Sequence, residues 1–145
     1  MTTASKNPLA LFLCTGNSAR SIMAEAILRC KAGDRFDVAS AGLEPKGVHP
    51  MTVEVLREIG VPTDGLRSKP ISEFLGRVSI RYAITVCAHA DAACPRVFPF
   101  ATRRMYWPFA DPPATPGTDA DRLAKFREVR DEIARQLDAW LAEEQ

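Results

Sequence analysis

The 145-residue sequence holds no apolar run near the ~20 residues that a membrane-spanning helix needs. It has almost no net charge, since 19 Lys and Arg face 18 Asp and Glu, leaving +1 with histidine neutral. No global field collects nucleic acid or an acidic membrane surface, so any anion recognition must be local. Internal repeats and low-complexity tracts are absent. Residues 1–7 lack a hydrophobic signal region and read as a loose tail, which makes the expected compartment cytoplasmic. Cysteine numbers only four. In a reducing compartment these are not a disulfide framework, which leaves catalysis, redox work, metal binding or packing. Histidine numbers two. Cys87, His89 and Cys94 form the one metal-like cluster, but the spacing is not a zinc pattern and a fourth ligand is missing. No metal and no cofactor is expected. Length and a 46% hydrophobic share fit a single domain over 1–145.

The most informative segment runs from Leu9 to Ser21. Leu9 to Leu13 has the length and character of a core strand in a parallel sheet, and it ends at Cys14. Thr15, Gly16, Asn17, Ser18 and Ala19 form a small loop. Gly16, Asn17 and Ser18 accept tight or left-handed backbone that turns N–H groups inward as a nest. A helix follows and adds free N–H groups and a positive dipole end. Arg20 contributes a planar fork suited to a tetrahedral oxyanion. Every local field at Cys14 favours the thiolate. The alternative is a small buried thiol beside a solvated arginine; the coincidence of all these parts at one strand-to-helix junction argues against it.

Further along, Ala19 to Lys31 reads as a helix with Ile22, Ala26, Ile27 and Cys30 facing the sheet, so Cys30 is expected in the core. Phe36 to Ala41 is a second strand. His49, in the loop 44–50, reads as a surface or loop-tethering residue. Met51 to Ile59 is a second helix. Arg67 to Pro70 reads as an exposed turn, and Ile71 to Leu75 as a short helix. Tyr82 to Cys87 is a third strand, Arg104 to Trp107 a fourth. Thr118 or Asp119 caps a last helix whose inner stripe is Leu123, Phe126, Val129, Ile133, Leu137, Trp140 and Leu141. Alternation of strands and helices predicts an α/β fold, a parallel sheet covered on both faces. Ligands of such sheets sit beyond the carboxyl ends of the strands, where Cys14 and Cys87 both fall.

Two chemistries are open to such a site. A thiolate under an oxyanion displaces a ligand on phosphorus or arsenic. Phosphate ester hydrolysis adds only a general acid, for which Asp111 in its proline-flanked loop is the candidate; its alternative role is turn formation in Asp-Pro-Pro. Arsenate reduction needs further thiols: Cys87 to attack the sulfur of a Cys14 adduct, and Cys94 to attack Cys87 in turn. A third reading is a non-enzymatic thiol trap that senses arsenic or oxidants.

The residues CTGNSARSIMAEA at 14–26, SAGLEP at 40–45, GVHP at 47–50, ITVCAHADAACP at 84–95 and DP at 111–112 resemble arsenate reductases of the low-molecular-weight tyrosine phosphatase fold, the thioredoxin-coupled class. The resemblance implies a four-stranded parallel sheet in the order 2-1-3-4. It implies Cys14 as nucleophile, Cys87 and Cys94 as redox relay, Arg20 as oxyanion clamp and Asp111 as acid. Thr15, Gly16, Asn17, Ser18, Ala19, Arg20 and Ser21 would form the substrate loop, with Ser21 bonded to the thiolate and Asn17 holding the loop's shape. Arsenate is the implied substrate and thioredoxin or a similar thiol the donor; a monomer is expected, with no nucleic-acid or membrane partner. Ala19, Ile22 and Pro113 depart from the phosphatases, which remain the alternative, with Cys87 and Cys94 then only protective. Some of these reductases hold potassium near the loop. Asn17, Glu25 and Ser40 match part of that site, and Lys69 falls where an acidic ligand is expected, so its ammonium is expected to replace the ion.

Overall fold

The computed structural model describes residues 7–74, 78–88, 90 and 101–144. Its centre is strand β1, Leu9–Cys14, in which Ala10 to Cys14 are all buried, so both faces of the strand are covered. β1 pairs in parallel with β2, Asp37–Gly42, on one side and with β3, Tyr82–Thr85, on the other. β4, Arg103–Tyr106, completes a parallel sheet of order 2-1-3-4. The fold class is thus the α/β arrangement that the resemblance implies. β4 is the exposed edge, and Arg103 and Arg104 place charge along it, which discourages further strand pairing.

Register matters more for function than strand length. Leu13 lies opposite both Ala41 and Thr85, and Thr85 opposite Tyr106, so all four strands end at one level. The segments after Cys14, Gly42, Thr85 and Tyr106 therefore converge on one edge of the sheet.

Helix α1, Arg20–Ala32, packs on β1 and β2 and against α2, Pro50–Glu58, and α3, Asp119–Glu143. α3 starts at Thr118 with a capping box closed by Asp121, and buries Phe126, Val129, Ile133, Leu137 and Trp140 along one stripe. Trp140 stacks with Phe36 and Tyr82, both at 5.0 Å between ring centroids, closing the core near the strand starts. Residues 71–73 form one 3₁₀ turn. None of the helices among the described residues is long and apolar enough to cross a membrane.

Two local expectations fail. Cys30 is exposed, not in the core. The middle of α1 is buried nearly all round, but its last turn, from Arg29 to Lys31, emerges into solvent. Lys69, expected in an exposed turn, is 6% exposed. Here the chain runs beside β2: Gly42 N donates to Lys69 O at 2.8 Å, and Gly42 bridges Pro70.

Candidate active site

The loop after β1 wraps around one sulfur atom. Asn17 N donates to Cys14 Sγ at 3.1 Å, and Ser21 Oγ lies 2.8 Å from it. Asn17 adopts φ 46°, a left-handed conformation that asparagine tolerates better than most residues. Its side chain is then fully used. Nδ2 donates to Ser21 Oγ at 2.8 Å and to Ser40 Oγ at 2.9 Å, while Oδ1 accepts from Lys69 N at 2.7 Å. This fixes the direction of the network. Ser40, an acceptor from Asn17, donates its own proton to Glu25 Oε1 at 2.5 Å. Ser21, also an acceptor from Asn17, keeps its proton free and donates it to Cys14 when the sulfur is a thiolate. The sulfur is thus addressed twice as an acceptor, an arrangement that suits a thiolate.

The loop's outward carbonyls are held from behind. Glu44 N donates to Thr15 O at 2.8 Å, Lys46 N to Gly16 O at 2.9 Å and His49 N to Ser18 O at 3.0 Å. With three carbonyls pinned outward, the intervening N–H groups turn toward the cavity as a nest. His49 tethers this loop twice, since its Nδ1 also accepts from Met51 N at the start of α2. That matches its reading as a loop-tethering residue. α1 begins at Ala19 without a side-chain cap, which leaves its first N–H groups to the same cavity.

That cavity measures about 310 Å³ and is lined by Cys14, Thr15, Gly16, Ser18, Ala19, Arg20, Lys46, Asp111 and Pro113. Asn17 and Ser21 do not line it; both are fully buried beneath it and act as braces. A larger cavity of about 660 Å³ lies near Pro8, Leu9 and Tyr82, by the strand starts, and none of the described residues lining it is a thiol. Chemistry, not size, therefore selects the smaller one.

Arg20 reaches across the mouth. Its Nη1 donates to Phe109 O at 3.1 Å, and its Nη2 stands 3.7 Å from Asp111 Oδ1. The Asp111 side chain does not cap the 3₁₀ turn at Pro112–Ala114; it is half exposed and faces the cavity. Its alternative role in turn formation thus involves only the backbone, Ala114 N donating to Asp111 O. Phe109 N donates to Val86 O at 3.3 Å, which ties this loop to the end of β3.

Cys87 arrives at the same place from β3. It is buried, its Sγ lies 3.5 Å from Thr15 Oγ1 and accepts from Ala90 N at 3.4 Å. Cys14 and Cys87 are both free thiols. Cys94 and His89 lie outside the described residues. No metal-like cluster of three His, Cys, Asp or Glu occurs among the described residues.

Beneath the cradle sits an ion pair. Lys69 Nζ stands 3.5 Å from Glu25 Oε1 and donates to Arg67 O at 2.7 Å; both charged side chains are more than nine-tenths buried. Burial lowers the Lys69 pKa below its ordinary value, against the pull of Glu25. Glu25 also holds Arg29 at 2.7 Å. Reading the sequence alone finds the loop 44–50 but misses that it backs the cradle and that Lys46 enters the cavity wall. The only local signal there is Gly47, whose φ of 90° marks a constrained turn.

A low molecular weight phosphotyrosine protein phosphatase model matches residues 10–145. The chain is 42% identical to an arsenate reductase of Halalkalibacterium halodurans, covering 87% of this chain and 89% of that protein. It is 38% identical to an arsenate reductase of Bacillus subtilis, covering 91% and 94%. A solved arsenate reductase in its phosphate-binding state superimposes with a TM-score of 0.78 at 27% identity, covering 94% of this chain and 98% of that one. A tyrosine phosphatase from T. tengcongensis, at 21% identity and a TM-score of 0.77, shares the fold. The family model spans nearly the whole chain, including the sheet of order 2-1-3-4 and the thiol-bearing loop at its edge, and the chain belongs to the low molecular weight phosphotyrosine protein phosphatase family.

Proposed function

We propose that this protein reduces arsenate to arsenite through a relay of Cys14, Cys87 and Cys94. The observation that carries the proposal is Cys87, a buried free thiol 3.5 Å from the Thr15 hydroxyl in the wall of the Cys14 cavity. Ester hydrolysis has no use for it. The names of the relatives support the same substrate.

Arsenate enters the nest, its oxygens bonded by loop N–H groups and the Arg20 fork. The Cys14 thiolate attacks arsenic, and one arsenate oxygen leaves as water on protonation, Asp111 serving as the acid. The Cys87 thiolate, with Thr15 as hydrogen-bond donor, then attacks Cys14 Sγ. The sulfur–arsenic bond breaks and its electron pair stays on arsenic, releasing arsenite and leaving a Cys14–Cys87 disulfide. Cys94 attacks Cys87, freeing the Cys14 thiolate and moving the disulfide to Cys87–Cys94. A dithiol protein of the thioredoxin type reduces that bond. The setting is the cytoplasm and the working unit a monomer of one domain.

Lys69 supplies in this chain the positive charge that a bound potassium ion would supply beside Asn17, Glu25 and Ser40. Exchange of potassium for sodium should leave turnover unchanged; a large stimulation by potassium would refute this role.

The test of the main proposal is coupled turnover with arsenate, thioredoxin, thioredoxin reductase and NADPH. Wild type should turn over steadily and Cys94→Ser at most once. No reduction by either, with good hydrolysis of an aryl phosphate, would establish a phosphatase instead.

A further inference from the structure

We propose that Lys46 is a second cationic anchor of the oxyanion cavity and favours oxyanions whose outward oxygen is a free hydroxyl over those in which it is esterified. The inference deepens the reading of the cavity as an oxyanion site and does not depend on what becomes of the bound anion.

Three observations place it. First, Lys46 N donates to Gly16 O at 2.9 Å, so its backbone is latched to the cradle itself. Second, its stem lies across Gly16: a β-carbon at that glycine would stand 3.6 Å from Lys46 Cδ and 3.7 Å from Cγ, which is ordinary contact. The side chain thus runs along the cradle wall and lines the cavity with Cys14 and Arg20. Third, Lys46 forms no ion pair among the described residues, whereas Arg20 faces the Asp111 carboxylate at 3.7 Å. The cavity wall therefore holds one cation engaged with a carboxylate and one that is free for an anion.

The positions suggest a division of labour. The nest N–H groups and Arg20 hold the oxygens that point into the cradle. The remaining oxygen points away from Cys14 toward the open side of the cavity, whose wall includes Lys46. In the dianion of inorganic arsenate or phosphate that oxygen is a free hydroxyl, which accepts a hydrogen bond from the ammonium; Lys46 is exposed, so salt screens its charge. In an aryl ester the same oxygen is esterified and offers Lys46 little. None of the described residues lining the cavity is aromatic, so an aryl group finds no stacking partner among them.

The probe is inorganic phosphate, titrated calorimetrically into the fully reduced protein. Lys46→Met keeps the stem and removes the charge; it should weaken phosphate about tenfold, and the loss should shrink as salt is raised. Lys46→Arg should bind within about threefold of wild type. The KM for hydrolysis of p-nitrophenyl phosphate, or its Ki as an arsenate competitor, should move less than threefold in Lys46→Met. Phosphate binding by Lys46→Met within twofold of wild type would overturn the inference while leaving the oxyanion site intact. Equal losses for phosphate and the aryl ester would also overturn it, since the charge would then not discriminate. Absence of phosphate binding by wild type would overturn the oxyanion site and this inference together.

Discussion

Neutralising the two members of the buried Lys69–Glu25 pair should have unequal effects. Glu25→Gln keeps the shape of the side chain and its hydrogen bond with Ser40, but strands the Lys69 ammonium with only the Arg67 carbonyl as partner. The Lys69 side chain is only 8% exposed and its pKa is already lowered by burial. Losing the counter-charge of a buried ion costs about 3–5 kcal/mol, and we take about 3 because Lys69 can deprotonate instead. Lys69→Met removes the desolvated charge itself. Glu25 then keeps Arg29 at 2.7 Å and Ser40, so the change should be about 1 kcal/mol or less. For a chain of this size the two melting temperatures should fall by roughly 10 °C and 3 °C. The double variant Glu25→Gln/Lys69→Met should be more stable than Glu25→Gln alone, because no unpaired charge remains. Thermal and urea melts of the four proteins measure this as a double-mutant cycle. Equal, additive losses would show that the pair is not coupled and that the ammonium is better solvated than the geometry indicates. Loss of phosphate affinity in Glu25→Gln beyond that in Lys69→Met would trace the same strain through Asn17 into the cradle.

Two further outcomes follow from the packing and the titrating groups. Gly42→Ala would place a β-carbon 2.7 Å from Thr15 O and 2.9 Å from Asn17 N, both cradle backbone; it should destabilise by about 1–3 kcal/mol and weaken phosphate at least tenfold, and a wild-type affinity would refute the view that β2 sets the cradle's shape. In acid, Glu58 is held below its ordinary 4.5 mainly by its hydrogen bond with Arg127, and Glu144 likewise by Tyr82. Because both folded-state values are depressed, the stabilisation is present above the unfolded value and is lost as pH falls through the folded ones. The melting temperature should therefore hold from neutrality to about pH 5 and drop below about 4.5, with a shallower drop in Glu58→Gln.

What could be read from the sequence is what short-range chemistry decides. The run into Cys14, the loop from Thr15 to Arg20 and the stripe of α3 are each local in sequence; the strand and the stripe lie where expected, and all of the loop but Asn17 lines the cavity. Periodicity failed at Cys30 because it reports which side of a helix a residue occupies, not whether the sheet still lies beneath that turn. Lys69 failed for a different reason. Arg-Ser-Lys-Pro has the composition of an exposed turn, and what buries the lysine is a carboxylate 44 positions earlier. The strand order came only with the family resemblance, since alternation predicts a parallel sheet but not which strand is central.

The cradle shows how far this dependence on distant residues goes. Its residue types are legible from one segment, but its shape is imposed by three others. The loop 44–49 pins the carbonyls of Thr15, Gly16 and Ser18. The Lys69 backbone orients the Asn17 amide. Ser40 on β2 takes that amide's second proton and passes its own to Glu25. Remove any one and the direction of the network is no longer determined, so Ser21 need not present its proton to Cys14. A nucleophile here is therefore a property of the sheet edge as a whole. A short Cys-to-Arg motif transplanted without β2 and its flanking loops should retain an anion-binding composition and lose the ordered donors that address the sulfur.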